Sequence, residues 1–524
     1  MTMHNVANWL QTAGVYLYFV MLAGLSVYGL HRFWMLYLYY RHRHDPPRPA
    51  DQWRELPTVT VQLPLYNERC VVGRLLEAVA RLDYPRDRLQ IQVLDDSTDD
   101  TRAIVAQKVA TLAAAGLNIQ HLHRERRDGF KAGALREAMP QVQGEFIAIY
   151  DADFIPPPNA LHAMIHYFTD PRVGMVQTRW AHLNERQSLL TRVQGILLDG
   201  HFVIEHVARS RSGRFFNFNG TGGMWRRTCI EGVGGWHSET LAEDLDLSYR
   251  AQIAGWQCVY LADVTTPAEL PVEINAYKNQ QYRWTKGTAQ TARRLLPVIW
   301  RSRLPLKVKV EATVRLTSNL CFIMMVLLCL TFPIQLLASR ELAVWPALRH
   351  SLLVEAPVFF AATLSVLTFY ICAQRELRRD WWRQLPYLPA LMIIGIGLCL
   401  NNARAVIEGL AGHRSDFVRT PKVGASTAAR AAGGWPKSYQ AWRGWTPYFE
   451  LAMGLYFSAT LLAVIARQHW LAMPFVLIFQ IGFISIGLLS LFPTQWRPSE
   501  WLGWSKPRWL NPRPVTKIDL GSDV

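Results

Sequence analysis

Cysteine is scarce in this chain and nowhere clustered. Seven are spread over 524 residues (Cys70, Cys229, Cys258, Cys321, Cys329, Cys372 and Cys399), with no C-x-x-C pair and no histidine at ligand spacing. That excludes a zinc framework and a disulfide scaffold, and it suits a reducing compartment. Acid is also in short supply, with 40 Asp and Glu against 56 Lys and Arg and a formal net charge of +16. The excess base does not form a nucleic-acid face. It borders apolar runs, as in RHRH at 41–44 and RELRRDWWR at 375–383. Basic residues at the edges of membrane spans mark the cytoplasmic side, so nucleic acid is set aside and the central region is expected in the cytoplasm. Internal repeats and long low-complexity stretches are missing as well.

Uncharged runs are plentiful. Residues 13–30 carry no charge and are long enough to cross about 30 Å of hydrocarbon. No basic segment precedes them and no small-residue cleavage site follows, so a retained span is expected rather than a signal peptide. Further spans are expected at 316–338, 352–373, 447–466 and 470–492. The run 386–400 is shorter and is expected to lie at the interface, which gives five spans with the N-terminus outside. Ionisable groups are nearly missing from these runs, Glu355 being the main exception, which disfavours a transporter. The resulting division is 1–54 (span and Pro-rich linker), 55–300 (cytosolic domain), 301–400 (span and interface helices), 401–445 (interface helix and a basic loop) and 446–524 (two spans and a tail).

Within 55–300 the pattern alternates between strand and helix. TVTVQLPLYNE (58–68), LQIQVLDDSTDD (89–100) and EFIAIYDADF (145–154) read as strands that run into polar turns. VVGRLLEAVARL and TRAIVAQKVATLAAAG between them have helical spacing. Alternation of this kind predicts an α/β domain with a mainly parallel sheet, whose ligands bind at the carboxyl ends of the strands.

Asp151 and Asp153 stand two apart at such an end and would project to one side. Singly, a D-x-D is a weak signal, and DDSTDD reads equally well as a helix cap. Together the acid-bearing turns suit a hard divalent cation, which takes carboxylate oxygens and keeps places for phosphate. RRDGFKAGAL (126–135) adds Lys131 in what reads as a flexible basic turn between Gly129 and Gly133. Glu243-Asp244 read as a helix start, where acids offset the dipole, and Asp244 is the candidate general base. Gln280, Arg283 and Trp284 fall at i, i+3, i+4, so one helix face carries an amide, a guanidinium and an indole. Arginine grips phosphate bidentately and an indole face stacks on a sugar ring. An ordinary interfacial Trp/Arg pair is the plainer alternative.

The ordered set D-D, D-x-D, E-D and Q-x-x-R-W resembles that of the processive family 2 glycosyltransferases, the cellulose synthase superfamily. VLDDSTD, FKAGAL, FNFNGTGGMWR (216–226), AEDLDLSYRA and QQYRW resemble most the cellulose-synthase-like mannan and glucan synthases, of the glucomannan 4-beta-mannosyltransferase kind, and their bacterial relatives. The resemblance implies a GT-A-type, Rossmann-like cytosolic domain inserted between transmembrane helices of a multi-pass protein of the inner or plasma membrane. It implies an inverting hexosyltransferase that adds to a growing β-linked, by preference β-1,4, polysaccharide and passes the chain through the bilayer. GDP-mannose and UDP-glucose both remain open as the nucleotide-sugar donor, and accessory subunits are left open. By the same resemblance Tyr66 and Glu68 hold the base, with Asp95, Asp96, Lys131 and Asp151 around the nucleotide diphosphate. Asp153, with Asp151, coordinates Mg2+ or Mn2+. Asp244 is the base, Gln280 and Arg283 steady the diphosphate, and Trp284 meets the acceptor sugar.

SDFVRTPKVG (415–424) resembles the family's gating loop at Thr420 and Lys422, with Arg419 where cellulose synthases have Val and Ala242 where Thr usually precedes Glu-Asp. The tail after 493 is too short for a cyclic-dinucleotide-binding domain, so control by that messenger through this chain is not expected. The segment 187–209 reads as an interface helix joining cleft to membrane. Transfer of a single sugar to a lipid is the alternative activity.

Overall fold

The computed structural model describes residues 3–338, 351–413, 415, 419, 420, 422 and 444–492. Residues 423–443 of the basic loop and the tail from 493 lie outside the described residues, as do the side chains of 351–362 and so that of Glu355.

Seven strands form one sheet in the order β3-β2-β1-β4-β6-β5-β7. They are β1 (Val59–Leu65), β2 (Leu89–Asp95), β3 (Ile119–His123), β4 (Phe146–Ile149), β5 (Val173–His182), β6 (Gly223–Arg226) and β7 (Gln257–Ala268). Strands β3, β2, β1 and β4 run parallel, while β6 lies antiparallel between β4 and β5. The expected parallel half is therefore present, and one reversed strand joins it to the parallel pair β5–β7. Chain connections leave β1 towards β2 on one side and reach β4 on the other, so a crevice opens beyond the carboxyl ends of β1 and β4.

The alternation in β1 has an uncommon cause. Its polar residues are buried too, and they pair across the register with β2. The Thr60 hydroxyl donates to Gln90 at 2.7 Å and the Gln62 amide to Gln92 at 3.0 Å. A buried polar row of this kind is tolerated because its members bond to one another.

One face of the sheet carries α1 (Val72–Ala80) and α2 (Thr101–Ala114). Helix α1 buries Val72, Leu75, Leu76 and Val79 at i, i+3, i+4 and i+7, each contributing about 1.5–3 kcal/mol by removal from water. The other face packs on apolar helices. Ile147, Ile149 and Met175 share a core with Met35 and Tyr39 of the first helix (Met3–His42), with Phe369 and Tyr370, and with Leu391 and Ile486. The sheet is thus joined to the apolar helices by a continuous core, without a free linker.

Among the described residues three helices are long and apolar enough to cross a membrane: Thr12–His42, Thr446–Ala466 and Met473–Leu491. The number reaches five if two bent pairs count as spans: Leu306–Thr317 with Leu320–Leu336 at 52°, and Trp381–Gly397 with Cys399–Ala411 at 46°. The sharp break after Gly397 falls where the short run 386–400 was expected to stay at the interface. The predicted interface helix at 187–209 is a helical run from Leu189 to Arg211 whose middle, Gly200–Glu205, is wound as a π-helix.

Candidate active site

The crevice is walled on one side by strand ends. Leu65 closes β1, and the chain turns through Tyr66, Asn67 (φ 56°) and Glu68. Beyond β4 come Asp151 and Asp153, and both line the cavity with Tyr66 and Glu68. Asp151 accepts a hydrogen bond from Lys131 at 2.5 Å, and Asp153 accepts one from Lys422 at 2.7 Å. Burial pushes the Asp151 carboxyl up from its ordinary value, against the pull of Lys131. Lys131 is pulled down by burial, yet Asp151, Glu243 and Asp244 outweigh that and hold its ammonium above the usual range.

Lys131 does not sit on a flexible turn. It opens a helix, α3 (Phe130–Ala138), in which Gly133 packs against the Asp128 carbonyl so closely that a Cβ would lie 1.9 Å from it. The turn is fixed by Arg124, which the sequence reading passed over. Arg124 donates to both oxygens of Asp96, at 2.8 and 2.6 Å, and to the carbonyls of Asp128 and Phe130. Asp96 reaches the cavity through this fork. Asp95 does not. Its carboxylate is fully buried behind β2, accepting from the Ser97 backbone at 2.9 Å and bonded to His121 at 2.9 Å. A side chain ending a strand alternates in direction with its neighbour, so only one of the Asp95-Asp96 pair can face the crevice. Of DDSTDD, Asp99 accepts from the Thr101 backbone at 2.9 Å in the turn before α2, whose N-cap residue, Asp100, makes no side-chain capping bond.

The opposite wall comes from helices. Glu243 and Asp244 open α4 (Glu243–Ile253), where three acids occupy the first turn. Burial, and then Glu243 beside it, pushes the Asp244 carboxyl up to about 7. Gly220 (φ +79°) brings the backbone against this pair: a Cβ there would stand 3.2 Å from Asp244 Oδ2 and 3.4 Å from Lys131 Nζ, and its carbonyl accepts from Lys131 at 2.8 Å. Helix α5 (Ile274–Arg301) is capped by Glu273, which accepts from Asn275 and Ala276 at 3.0 and 2.9 Å. Its Gln280, Arg283 and Trp284 line the cavity together, as the spacing predicted. Burial lowers Arg283 to about 10, Glu243 and Asp151 opposing it. Trp284 is joined by Trp180 of β5, ring centroids 6.5 Å apart, a second indole the motif reading missed.

The other face of α5 is anchored among the apolar helices. Lys286 donates to Glu408 at 2.8 Å and to Ser415 at 3.0 Å, and Lys278 donates to Glu450 at 2.6 Å. From beyond this junction three side chains reach back over the crevice. Arg419 bonds Glu68, Thr420 accepts from Arg283 at 2.8 Å, and Lys422 meets both Asp153 and the Glu269 carbonyl. Every predicted site residue except Asp95 thus faces one cavity.

Among the described residues no group of three or more His, Cys, Asp or Glu could enclose a metal. The donor set nonetheless fits a hard cation that uses one or two carboxylates and completes its shell with phosphate, since Asp151 and Asp153 share the cavity with Lys131 and Arg283.

Comparison with known proteins adds to this geometry. The family described as Glycosyltransferase like family 2 matches residues 57–287. Probable glucomannan 4-beta-mannosyltransferase 7 of Oryza sativa subsp. japonica is 43% identical over 264 residues, which is 49% of this chain and 45% of that protein. Glucomannan 4-beta-mannosyltransferase 2 of Arabidopsis thaliana is 33% identical over 408 residues, 74% of this chain and 72% of that one. The matched segment thus spans under half the length of the rice relative and nearly three quarters of the Arabidopsis one. Among solved structures, the mannosyltransferase PcManGT from Pyrobaculum calidifontis, in complex with GDP-Man and Mn2+, superposes with a TM-score of 0.51 at 20% identity, covering 75% of this chain and 99% of that one. At that identity the likeness concerns the fold, which is of the GT-A type.

Proposed function

Since this chain belongs to the family 2 glycosyltransferases, among the cellulose-synthase-like enzymes, we propose that it transfers a hexose from a nucleotide sugar to a growing β-1,4-linked, mannan-type chain at the face of a membrane. The observation that carries this reading is Asp244: a carboxyl held near 7 by burial, across a cavity from two strand-end aspartates, with an indole beside it. A general base works best with a pKa close to the operating pH.

Tyr66 and Glu68 hold the base of the donor. Lys131, Gln280 and Arg283 grip its diphosphate, and Asp151 and Asp153 hold a divalent cation. Held by those two carboxylates, such an ion, Mn2+ in the Pyrobaculum calidifontis structure, would supply positive charge beside the diphosphate. Asp244 takes the proton from the acceptor hydroxyl as its oxygen attacks the anomeric carbon. The bond from that carbon to the diphosphate breaks in the same step, its electron pair leaving with the nucleotide, so the anomeric configuration inverts. Trp284 and Trp180 offer apolar faces to the terminal acceptor ring. The names of the relatives favour mannose as the sugar. The core shared by sheet and apolar helices supports delivery of the product directly into the membrane.

Membrane vesicles given labelled GDP-mannose and UDP-glucose in parallel test the reading. It expects an insoluble or alkali-extractable product that endo-β-1,4-mannanase digests. A product consisting only of monoglycosylated lipid would replace it with single-sugar transfer.

A further inference from the structure

The cavity wall holds a histidine that no step of the transfer uses. His182 is the last residue of β5, and its side chain is 5% exposed and lines the cavity. Alternation along the strand puts it on the same side as Trp180, two residues earlier. Strand β5 leads away from the loop at Gly220 that presses on Asp244. Gln177 bonds the Thr221 and Gly222 carbonyls, Trp180 donates to Thr221 alone at 3.3 Å, and His182 turns instead to the helical run that starts at Leu189.

The ring is held in one state. Its Nε2 bonds Oδ1 of Asp199 at 3.1 Å, and the other oxygen of Asp199 accepts from Gln374 at 2.8 Å with Arg378 3.6 Å away. Burial pushes the Asp199 carboxyl up, yet His182, Gln374 and Arg378 outweigh it and hold the group below its ordinary value. An ionised carboxylate only accepts hydrogen bonds, so Nε2 carries the ring proton and Nδ1 of the neutral imidazole keeps a lone pair. That Nδ1 has no partner among the described residues and stays accessible. Gln374 belongs to the apolar helix Ser351–Leu377, and Arg378 just after it also grips both oxygens of Glu185, at 3.0 and 2.6 Å. The acceptor atom is thereby braced against the apolar helices.

An aromatic face followed by a fixed hydrogen-bond acceptor suits a sugar, which offers an apolar C–H face and then hydroxyls. Two residues of strand advance about 6.6 Å, close to one ring of a β-linked glycan. Resting on the reading of this site as a β-glycan polymerase, we propose that His182, held by Asp199, accepts a hydrogen bond from a hydroxyl of the sugar that precedes the terminal one. Trp284 and Trp180 meet the terminal ring by its faces, a contact with little direction. His182 adds a directional contact one ring back, so a chain of two or more sugars is retained and a single sugar is not.

The test uses the full chain in nanodiscs with whichever labelled donor it accepts, GDP-mannose or UDP-glucose. The matching β-1,4-linked trisaccharide, mannotriose or cellotriose, is added or left out. His182→Phe should raise KM for the trisaccharide about tenfold, the worth of one hydrogen bond of this kind, and shorten the polymer made from donor alone by a similar factor. Donor KM and slow donor hydrolysis should stay unchanged, which also shows that the variant is folded. His182→Asn sets a carbonyl oxygen near the place of Nδ1 and should recover most of the loss. Both variants leave Asp199 to Gln374 and Arg378, so they differ in the group offered to the cavity. Equal losses in the two variants, an unchanged polymer length in His182→Phe, or a shift in donor KM would overturn the inference while leaving the polymerase reading intact. Only monoglycosylated product from the unaltered protein would overturn both.

Discussion

The two walls of the crevice are built differently. The strand-end wall, with Glu68, Asp151 and Asp153, hangs on β1 and β4, whose residues lie in a core with no exposed face. The helical wall, with Asp244, Arg283 and Trp284, stands on the first turn of α4 and the body of α5, and α5 is in turn held by Glu408 and Glu450 on helices among the apolar bundle. A rigid wall suits groups that bind the same donor at every cycle. A wall coupled to the membrane helices suits groups that meet an acceptor which must advance after each addition. The contrast makes a division of labour, with nucleotide and metal on one side and acceptor and proton transfer on the other, Gln280 and Arg283 reaching across to the diphosphate, and variants on the two walls should fail in different ways.

The largest expected effect is on the strand-end wall. Chelation of divalent ions should abolish polymer formation, with recovery on adding Mg2+ or Mn2+, because Asp151 and Asp153 then face a diphosphate without a compensating cation. Asp153→Ala should be inactive while remaining inserted in the membrane. Full turnover in excess chelator would remove the metal from the account. On the other wall, Trp284→Ala should cost about one to two powers of ten in polymer yield, taking stacking as worth about 1–3 kcal/mol per ring. Slow hydrolysis of the nucleotide sugar should survive in that variant, since the donor wall is untouched. Loss of hydrolysis and polymer together would erase the division.

Acidity separates the walls more finely. Asp244 and Glu68 are each pushed up to about 7, chiefly by burial. Both are needed as carboxylates, so activity should fall as pH drops below 7, up to about tenfold per unit for a required base. Asp244 acts in the chemical step and should shape kcat, whereas Glu68 touches the donor and should shape KM. A pH profile in which kcat alone changes would take Glu68 out of donor binding. The smallest effect is expected from Gly220→Ala. Its φ of +79° is unfavourable for a side chain, at about 1–2 kcal/mol, and the new methyl would press on Asp244 and Lys131. Turnover should drop about tenfold with donor affinity little changed.

The strand-end wall was also the more legible in sequence. A strand is a short run with a period of two, so EFIAIYDADF alone put Asp151 and Asp153 at a strand end, though β4 stops at Ile149 and both lie in the turn beyond it. The same rule explains the one failure there, since it cannot say which of Asp95 and Asp96 turns inward. The face of α5 bearing Gln280, Arg283 and Trp284 was equally readable, being a single helix. Contacts between distant segments were not. Arg124 holding Asp96, Trp180 joining Trp284, and Arg419 bonding Glu68 leave no local periodicity, because each depends on how separate elements pack. The basic turn at Lys131 was misjudged for a related reason: glycine suggests flexibility, but Gly133 is there for close approach to the Asp128 carbonyl.

The account turns on Asp244 as the base, on the wall opposite the strand-end aspartates. Donor affinity and single-turnover rate should therefore be measured on one preparation of Asp244→Asn, which keeps shape and removes basicity. The account predicts an unchanged donor Kd with a rate lowered about 10²–10⁴-fold. Near-normal turnover in Asp244→Asn, with the loss found in Glu243→Gln instead, would contradict it.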